Sequence, residues 1–221
     1  FTRNRKEMIQ PLLSILIPIT PDRFNTVLPL IQKLGFAVGL NDFISDGEWL
    51  KGWNNTRTFE TELWIYNDNK EATIGEKRDS LYKCSNGLFS WQIDSDDDIA
   101  DNAIELILNA IKSNPEIPCI TFREKCMING VYKSSNHSIR YSQWIDNQDG
   151  FDYVRSPFYK DVIRTDIAKS VPFPKIRYNE DEQWSKALYP LLTDEIHIDK
   201  ELYHYIYNET NHNERYGLDR S

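Results

Sequence analysis

Leu88-Phe89-Ser90-Trp91-Gln92-Ile93-Asp94-Ser95-Asp96-Asp97-Asp98 is the stretch on which the fold turns. A short apolar run bounded by polar residues reads as a strand buried on both faces. It runs without a spacer into four aspartates, with Asp101 close behind. In an open α/β sheet the carboxyl end of a strand is where ligands bind. Crowded carboxylates repel one another, and a hard divalent cation such as Mg²⁺ or Mn²⁺ relieves that repulsion and can grip a diphosphate. The same residues also describe a solvated acidic turn capping the next helix, and placement directly after an apolar strand favours the cation. An EF-hand is excluded, because no glycine sits mid-loop and no glutamate holds the twelfth position.

Upstream, Ser14-Ile15-Leu16-Ile17-Pro18 reads as a central parallel strand. Thr20 is then expected to cap a helix with Pro21 in its first turn, an apolar face at Phe24, Val27, Leu28, Ile31 and Leu34, and Gly35 as its stop. Residues 36–60 show no clean period and read as a long excursion with one short helix near 47–53. A strand is expected over 62–67 and a helix over 74–83. Downstream, Asp101 is expected to cap a helix with Ile104, Ile107, Leu108 and Ile111 on one face, followed by a strand over 117–122. Asn129-Gly130 is a strong hairpin signal within 127–132. A strand over 139–144, a helix over 180–188 and a late strand over 202–207 complete the reading. Strand and helix alternate in the first half, and antiparallel pieces enter in the second. This describes one domain, an open α/β sheet whose C-terminal part builds a second wall.

Composition limits the function. The 221 residues carry 26 Lys+Arg against 34 Asp+Glu, a net charge of −8. That disfavours a protein holding nucleic acid by phosphate neutralisation. Hydrophobic residues make up 40%, too many for a disordered chain. The longest apolar run, residues 12–19, is too short to cross a bilayer. Cys84, Cys119 and Cys126 form no CxxC and read as reduced, buried thiols, so a cytoplasmic location is expected. Dinucleotide, P-loop and nucleophile-elbow signatures are all lacking.

Two further clusters carry chemistry. Gly75-Glu76-Lys77-Arg78 opens a helix with two cations that could meet phosphate. One helix and one strand separate it from the aspartates, so both can face one crevice. Asn179-Glu180-Asp181-Glu182, followed by Trp184, places carboxylates at a helix start, where one could act as general base. Acids favour that position through the helix dipole alone, so the cluster by itself proves nothing. His204, in the aromatic run Leu202-Tyr203-His204-Tyr205, reads as a core histidine or as a third metal ligand. Trp144, Tyr153, Phe158 and Tyr159 read as core aromatics or as platforms for sugar rings.

The order of these motifs resembles that of family 2 glycosyltransferases of the GT-A fold, particularly the small single-domain bacterial and viral members. The resemblance covers residues 13–207 and is most specific over 75–99. It implies a GT-A sheet, open, mostly parallel and twisted, flanked by helices. Residues 13–125 would form the nucleotide-sugar half and 126–207 an antiparallel acceptor side. It also implies a nucleotide-diphospho-sugar donor (uridine being the commonest base), Mn²⁺ or Mg²⁺, and inversion at the anomeric carbon. Asp94, Ser95 and Asp96 would contact the nucleotide, and Asp96 or Asp97 the ion. Pro18 and Thr20 would lie where the base stacks, Asp68 where the second strand's acid meets the base, and Lys77 and Arg78 on the helix closing over the nucleotide. Asp181 would be the base of a Glu180-Asp181 pair. The Gln-x-x-Arg-Trp signature of processive members is missing, which implies transfer of one sugar at a time to a glycan or other hydroxyl acceptor. A sugar-phosphate nucleotidyltransferase and an inactive sugar-nucleotide-binding module are the competing readings.

Overall fold

The computed structural model describes residues 10–36, 44–45, 48–49, 52–58 and 60–208. In chain order the strands and helices are β1 (Leu13–Ile19), α1 (Phe24–Lys33), β2 (Ile44–Ser45), β3 (Glu48–Trp49), β4 (Gly52–Arg57), β5 (Thr61–Asn67), α2 (Ile74–Cys84), β6 (Phe89–Gln92), β7 (Asp98–Ile99), α3 (Ala103–Ser113), β8 (Cys119–Ile128), β9 (Val131–His137), β10 (Ile145–Gln148), β11 (Phe151–Arg155), β12 (Val162–Arg164), α4 (Thr165–Ser170), α5 (Glu180–Leu188) and β13 (Glu195–Tyr207).

One large sheet organises them. β1 lies between β5 and β6, parallel to both. β12 is inserted antiparallel between β6 and β8, and β13 runs parallel to β8 along its other edge. β8 outlasts β12, so its second half pairs with β9 instead. β11 and β10 extend that wing, and β7 folds back onto β13. The expected open sheet with an antiparallel second wall is therefore present.

Burial explains the layers. All seven residues of β1 are buried, and alternation sends them to two cores. Leu13, Ile15, Ile17 and Ile19 join Val27 and Ile31 of α1 and Ile107 and Ile111 of α3. Leu16 joins Leu81 and Tyr82 of α2 and Trp184 of α5 on the other face. There Trp184 stacks on Phe173 at 4.5 Å and on Tyr82 at 5.3 Å, both nearly coplanar. The Trp184 indole N–H donates to the Val171 carbonyl, so the stack is satisfied at its polar edge. This column fastens α5 to α2, the two helices that carry Asp181 and Arg78.

Several local expectations are corrected. Thr20 caps nothing with its side chain; it donates to Asp22 across a single 3-10 turn that precedes α1. The residue before α3 is Asn102, not Asp101, and it makes no side-chain cap. Of the segment 47–53, where a short helix is expected, residues 48–49 are strand and 52–53 belong to β4, which pairs antiparallel with β5, while 47, 50 and 51 lie outside the described residues. Strand structure begins at Ile145, after the expected 139–144 segment. The Asn129-Gly130 turn joins β8 to β9 with φ of 50° and 78°, the two positive values a tight hairpin needs.

Candidate active site

The carboxyl end of β6, the first turns of α2 and the start of α5 meet at Arg78. α2 begins there because Thr73 and Glu76 form a reciprocal capping box that satisfies its first N–H groups. Five residues beyond the Thr73 cap, Arg78 is buried on the sheet-facing side of α2. The guanidinium is buried and donates to the Asp94 carboxylate at 2.9 Å, to Glu180 Oε1 at 3.3 Å and to Gln92 Oε1 at 3.3 Å. Its plane lies over the Tyr159 ring, 3.4 Å from the centroid. The Tyr159 hydroxyl donates to Asp94 Oδ2 at 2.6 Å. A planar fork is the cation suited to this arrangement of two acids and one ring.

Electrostatics then sorts the acids. Burial alone would raise the Asp94 carboxyl, but the charges of Arg78 and Lys160 and the Tyr159 hydrogen bond hold it below the usual range. Glu180 moves upward, because burial and the neighbouring Asp181 outweigh Arg78. Asp97 rises well above the ordinary carboxylate value through burial and the nearby Asp94 and Asp96 charges, despite Lys160. Asp181, half-buried beside Glu180, accepts the N–H of Glu182 at 2.8 Å on one oxygen. A glycine holds this helix start in place. Gly75 donates its N–H toward the Ile176 carbonyl, and a Cβ there would lie 1.8 Å from the Pro174 oxygen.

Among solved structures the chain is similar to S. aureus TarS residues 1–349, at 14% identity and TM-score 0.57 over 88% of this chain and 60% of that one. The fold is glycosyltransferase-like. The same TarS segment has been solved with UDP (15% identity, TM-score 0.57, 91% of this chain, 62% of that one) and with UDP-GlcNAc (15%, 0.58, 89% and 58%). The chain thus spans about three fifths of the TarS segment's length. No protein-family model and no curated protein matches the sequence.

Within this glycosyltransferase-like fold, Arg78 joins Asp94 to Glu180, with Asp181 next to Glu180 at the start of α5. Other residues are placed differently. Lys77 is buried in an ion pair with Asp68, whose other oxygen accepts the Ala72 N–H at 2.7 Å. Both are therefore engaged with each other at the end of β5. Asp97 is spent as well: Tyr203 donates to one oxygen at 2.8 Å and the Ile206 N–H to the other at 2.9 Å. Asp96 lies at the rim, 34% exposed, paired with Arg23 at 2.8 Å. Ser95 is buried between them. Pro18 pairs with Tyr66 across β1 and β5, one residue short of the strand's end, and Thr20 sits just beyond it.

His204 lies beside Asp98, on the outward side of the aspartate turn. Alternation along β13 puts Tyr203 and Tyr205 toward Lys160, and His204 on the other face opposite Asp98. Burial there lowers its pKa. Among the described residues no three His, Cys, Asp or Glu side chains converge as a metal cage. Phe158 and Tyr159 are core and site wall, not exposed sugar platforms, with Trp144 packed edge-on against Phe158 at 5.0 Å.

Sequence reasoning missed Gln92, Arg23, Lys160 and the true role of Tyr159. Only Tyr159 had been singled out at all. A groove of about 710 Å³ lies at the opposite, N-terminal end of β1 and β6. Its cations are engaged, Arg164 with Asp166 and Lys169 with the Ser85 carbonyl, and it shares no residue with the aspartate turn.

Proposed function

We propose that the chain transfers one sugar from a nucleotide-diphospho-sugar, with uridine as the base, to a hydroxyl of a glycan-like acceptor, inverting the anomeric carbon. The observation that carries this reading is the bridge Asp94–Arg78–Glu180. It holds a nucleotide-side carboxylate and the Glu180-Asp181 pair at one guanidinium. Likeness to a fold solved with UDP and UDP-GlcNAc supports the donor class.

In this reading Asp181 accepts the acceptor's O–H proton as that oxygen attacks the anomeric carbon. The bond from that carbon to the diphosphate oxygen breaks, and the nucleoside diphosphate leaves with the electron pair. Arg78 keeps Glu180 and Asp94 fixed so that Asp181 is aimed without reorganisation. Asp96, at the rim, would hold Mn²⁺ or Mg²⁺. A donor set of one or two carboxylates fits an ion that retains water and shares the substrate's phosphates. Bound there, the ion would neutralise charge on the departing diphosphate. Both Asp97 oxygens already accept hydrogen bonds from β13, so this residue braces the turn.

A panel of nucleotide sugars with Mn²⁺, read as donor hydrolysis and as transfer, tests the reading. Asp181→Asn should lower turnover by about 10²–10⁴-fold, the usual worth of a general base, with UDP affinity kept. Near-normal turnover in that variant removes Asp181 from the role. Preference for a nucleoside triphosphate with release of pyrophosphate would replace the reading with nucleotidyl transfer.

A further inference from the structure

Behind the site lies a buried chain of charge that the proposed chemistry does not use. His137, at the end of β9, is fully buried between two carboxylates: its Nδ1 is 3.1 Å from Asp161 Oδ1, and its Nε2 is 3.3 Å from Glu124 Oε2. The rings of Phe122 and Phe158 close off its faces. Asp161 Oδ2 accepts the Phe158 N–H at 3.0 Å, and the Asp161 N–H donates to the Phe158 carbonyl at 2.9 Å. Residues 158–161 are thereby pinned as a turn whose far end rests on His137. Glu124 Oε1 takes Lys160 at 2.7 Å, and Lys160 also stands 3.8 Å from Asp97. The same turn delivers the Tyr159 hydroxyl to Asp94. Its backbone is sewn to β6 by Gln92 N–H to the Tyr159 carbonyl at 3.3 Å and by the Trp91 indole to the Lys160 carbonyl at 2.6 Å.

We propose that His137 is a positioning residue: clamped between Asp161 and Glu124, it fixes the turn at 158–161, and through it Tyr159 and Lys160, against the aspartate turn. His137 touches none of the residues assigned to donor or acceptor, so its effect is transmitted through the turn. As a statement about catalysis the inference rests on the transferase reading; as a statement about the clamp it stands on the geometry. Two anions flank one ring, so a neutral imidazole would leave one carboxylate facing a lone pair in a dry interior. Burial alone would lower the pKa of His137, but the Asp161 and Glu124 charges push it up to about 9.

The test has two arms. In ¹⁵N-histidine spectra of the full chain at pH 7.5, with His137→Gln identifying the signal, both ring nitrogens should carry protons. A neutral ring with one bare nitrogen at that pH overturns the clamp. In the donor assay, His137→Gln should lower kcat by about 10- to 100-fold, the scale of a displacement near 1 Å, with UDP affinity within threefold. Asp161→Asn, which keeps the shape and removes the charge, should show the same split and serves if His137→Gln fails to fold. A folded variant with wild-type kcat, or one losing affinity and kcat together, overturns the positioning role. A wild-type chain that binds no UDP and turns over no donor sinks the transferase reading while the spectra still decide the clamp.

Discussion

Gly75→Ala is the sharpest probe of how the two carboxylate-bearing elements are joined. An added Cβ would lie 1.8 Å from the Pro174 oxygen, 3.0 Å from the Pro174 carbonyl carbon and 3.3 Å from the Ile176 oxygen. All three are backbone atoms, so no side chain can swing away. Ordinary contact begins at 3.4 Å, so the Pro174 carbonyl must retreat by 3.4 − 1.8 = 1.6 Å, or α2 must yield by that amount. Two effects compete. Alanine favours a helix over glycine by about 1 kcal/mol. Overpacking a rigid contact costs about 1–3 kcal/mol. The clash wins because relief requires moving the backbone that leads five residues later into Asn179, whose φ of 61° already fixes the entry to α5. The net, about 0–2 kcal/mol of loss, corresponds to a fall in Tm of up to roughly 8 °C for a chain of this length. The larger effect falls on chemistry, because the displaced segment carries Glu180 and Asp181, and a shift near 1 Å can cost about 10²-fold in rate. Differential scanning calorimetry and donor turnover measure the two separately. A Gly75→Ala protein that melts and turns over like wild type refutes the claim that the 174–176 backbone sets the geometry of α5.

Arg78→Ala leaves Glu180 buried and Asp94 partly buried without their cation, so it should lose about 3 kcal/mol in urea unfolding, the low end for a broken buried pair. Arg78→Lys keeps charge but not the fork or the ring contact, and should lose less stability while still failing in donor turnover; equal stability in both variants would argue against the bridge. Stability should also depend on pH in a defined way. Glu124 is held down to about 2 from 4.5: burial opposes this, and the Lys160 charge and the His137 contact cause it. Its contribution is complete above pH 4.5 and is lost as pH falls through about 2. His137 rises from 6.5 to about 9, so its contribution is complete below pH 6.5 and is lost as pH rises through about 9. By linkage the alkaline loss is on the order of 3 kcal/mol. A urea midpoint that stays flat from pH 6.5 to 9.5 would contradict that, and His137→Gln should remove the slope.

What could be read from the sequence was local and periodic. β1 was legible because a run buried on both faces needs no partner to be recognised. Asn129-Gly130 was legible because few dipeptides accept two positive φ values. β12 was not, since three residues, Val162, Ile163 and Arg164, carry no period. β13 was half legible: residues 202–207 stood out, but register shifts between Ile198, Glu201 and Tyr203 break the alternation that would have linked them to Glu195. Within the site, residue types were visible and partners were not. Nothing in a linear reading says that Lys77 spends its charge on Asp68 while its neighbour Arg78 reaches Asp94 and Glu180. Successive helical residues point about 100° apart, and only the packed sheet decides which direction meets which acid.

Four aspartates in five residues therefore have four different fates, and this division is what makes the turn usable. Asp94 is neutralised from within by Arg78 and Tyr159. Asp97 is neutralised by donors on β13 and a more distant Lys160. Asp98 faces outward, held by Lys33 from the end of α1. If all four faced one pocket their repulsion would demand a caged cation and would destabilise the chain without it. By committing two to the interior and one to α1, the fold leaves the rim with Asp96, whose partner Arg23 is a surface-side cation on a 3-10 turn. In the proposed reading, that ion pair is the one an incoming phosphate–cation pair would exchange with, because Asp96 is the partner open to solvent, at 34% exposed. Arg23, which holds the cation's place on Asp96, would then be released beside the diphosphate. In the proposed reading the interior pairs would keep their contacts while the rim pair exchanges, and the site would bind charge without refolding around it.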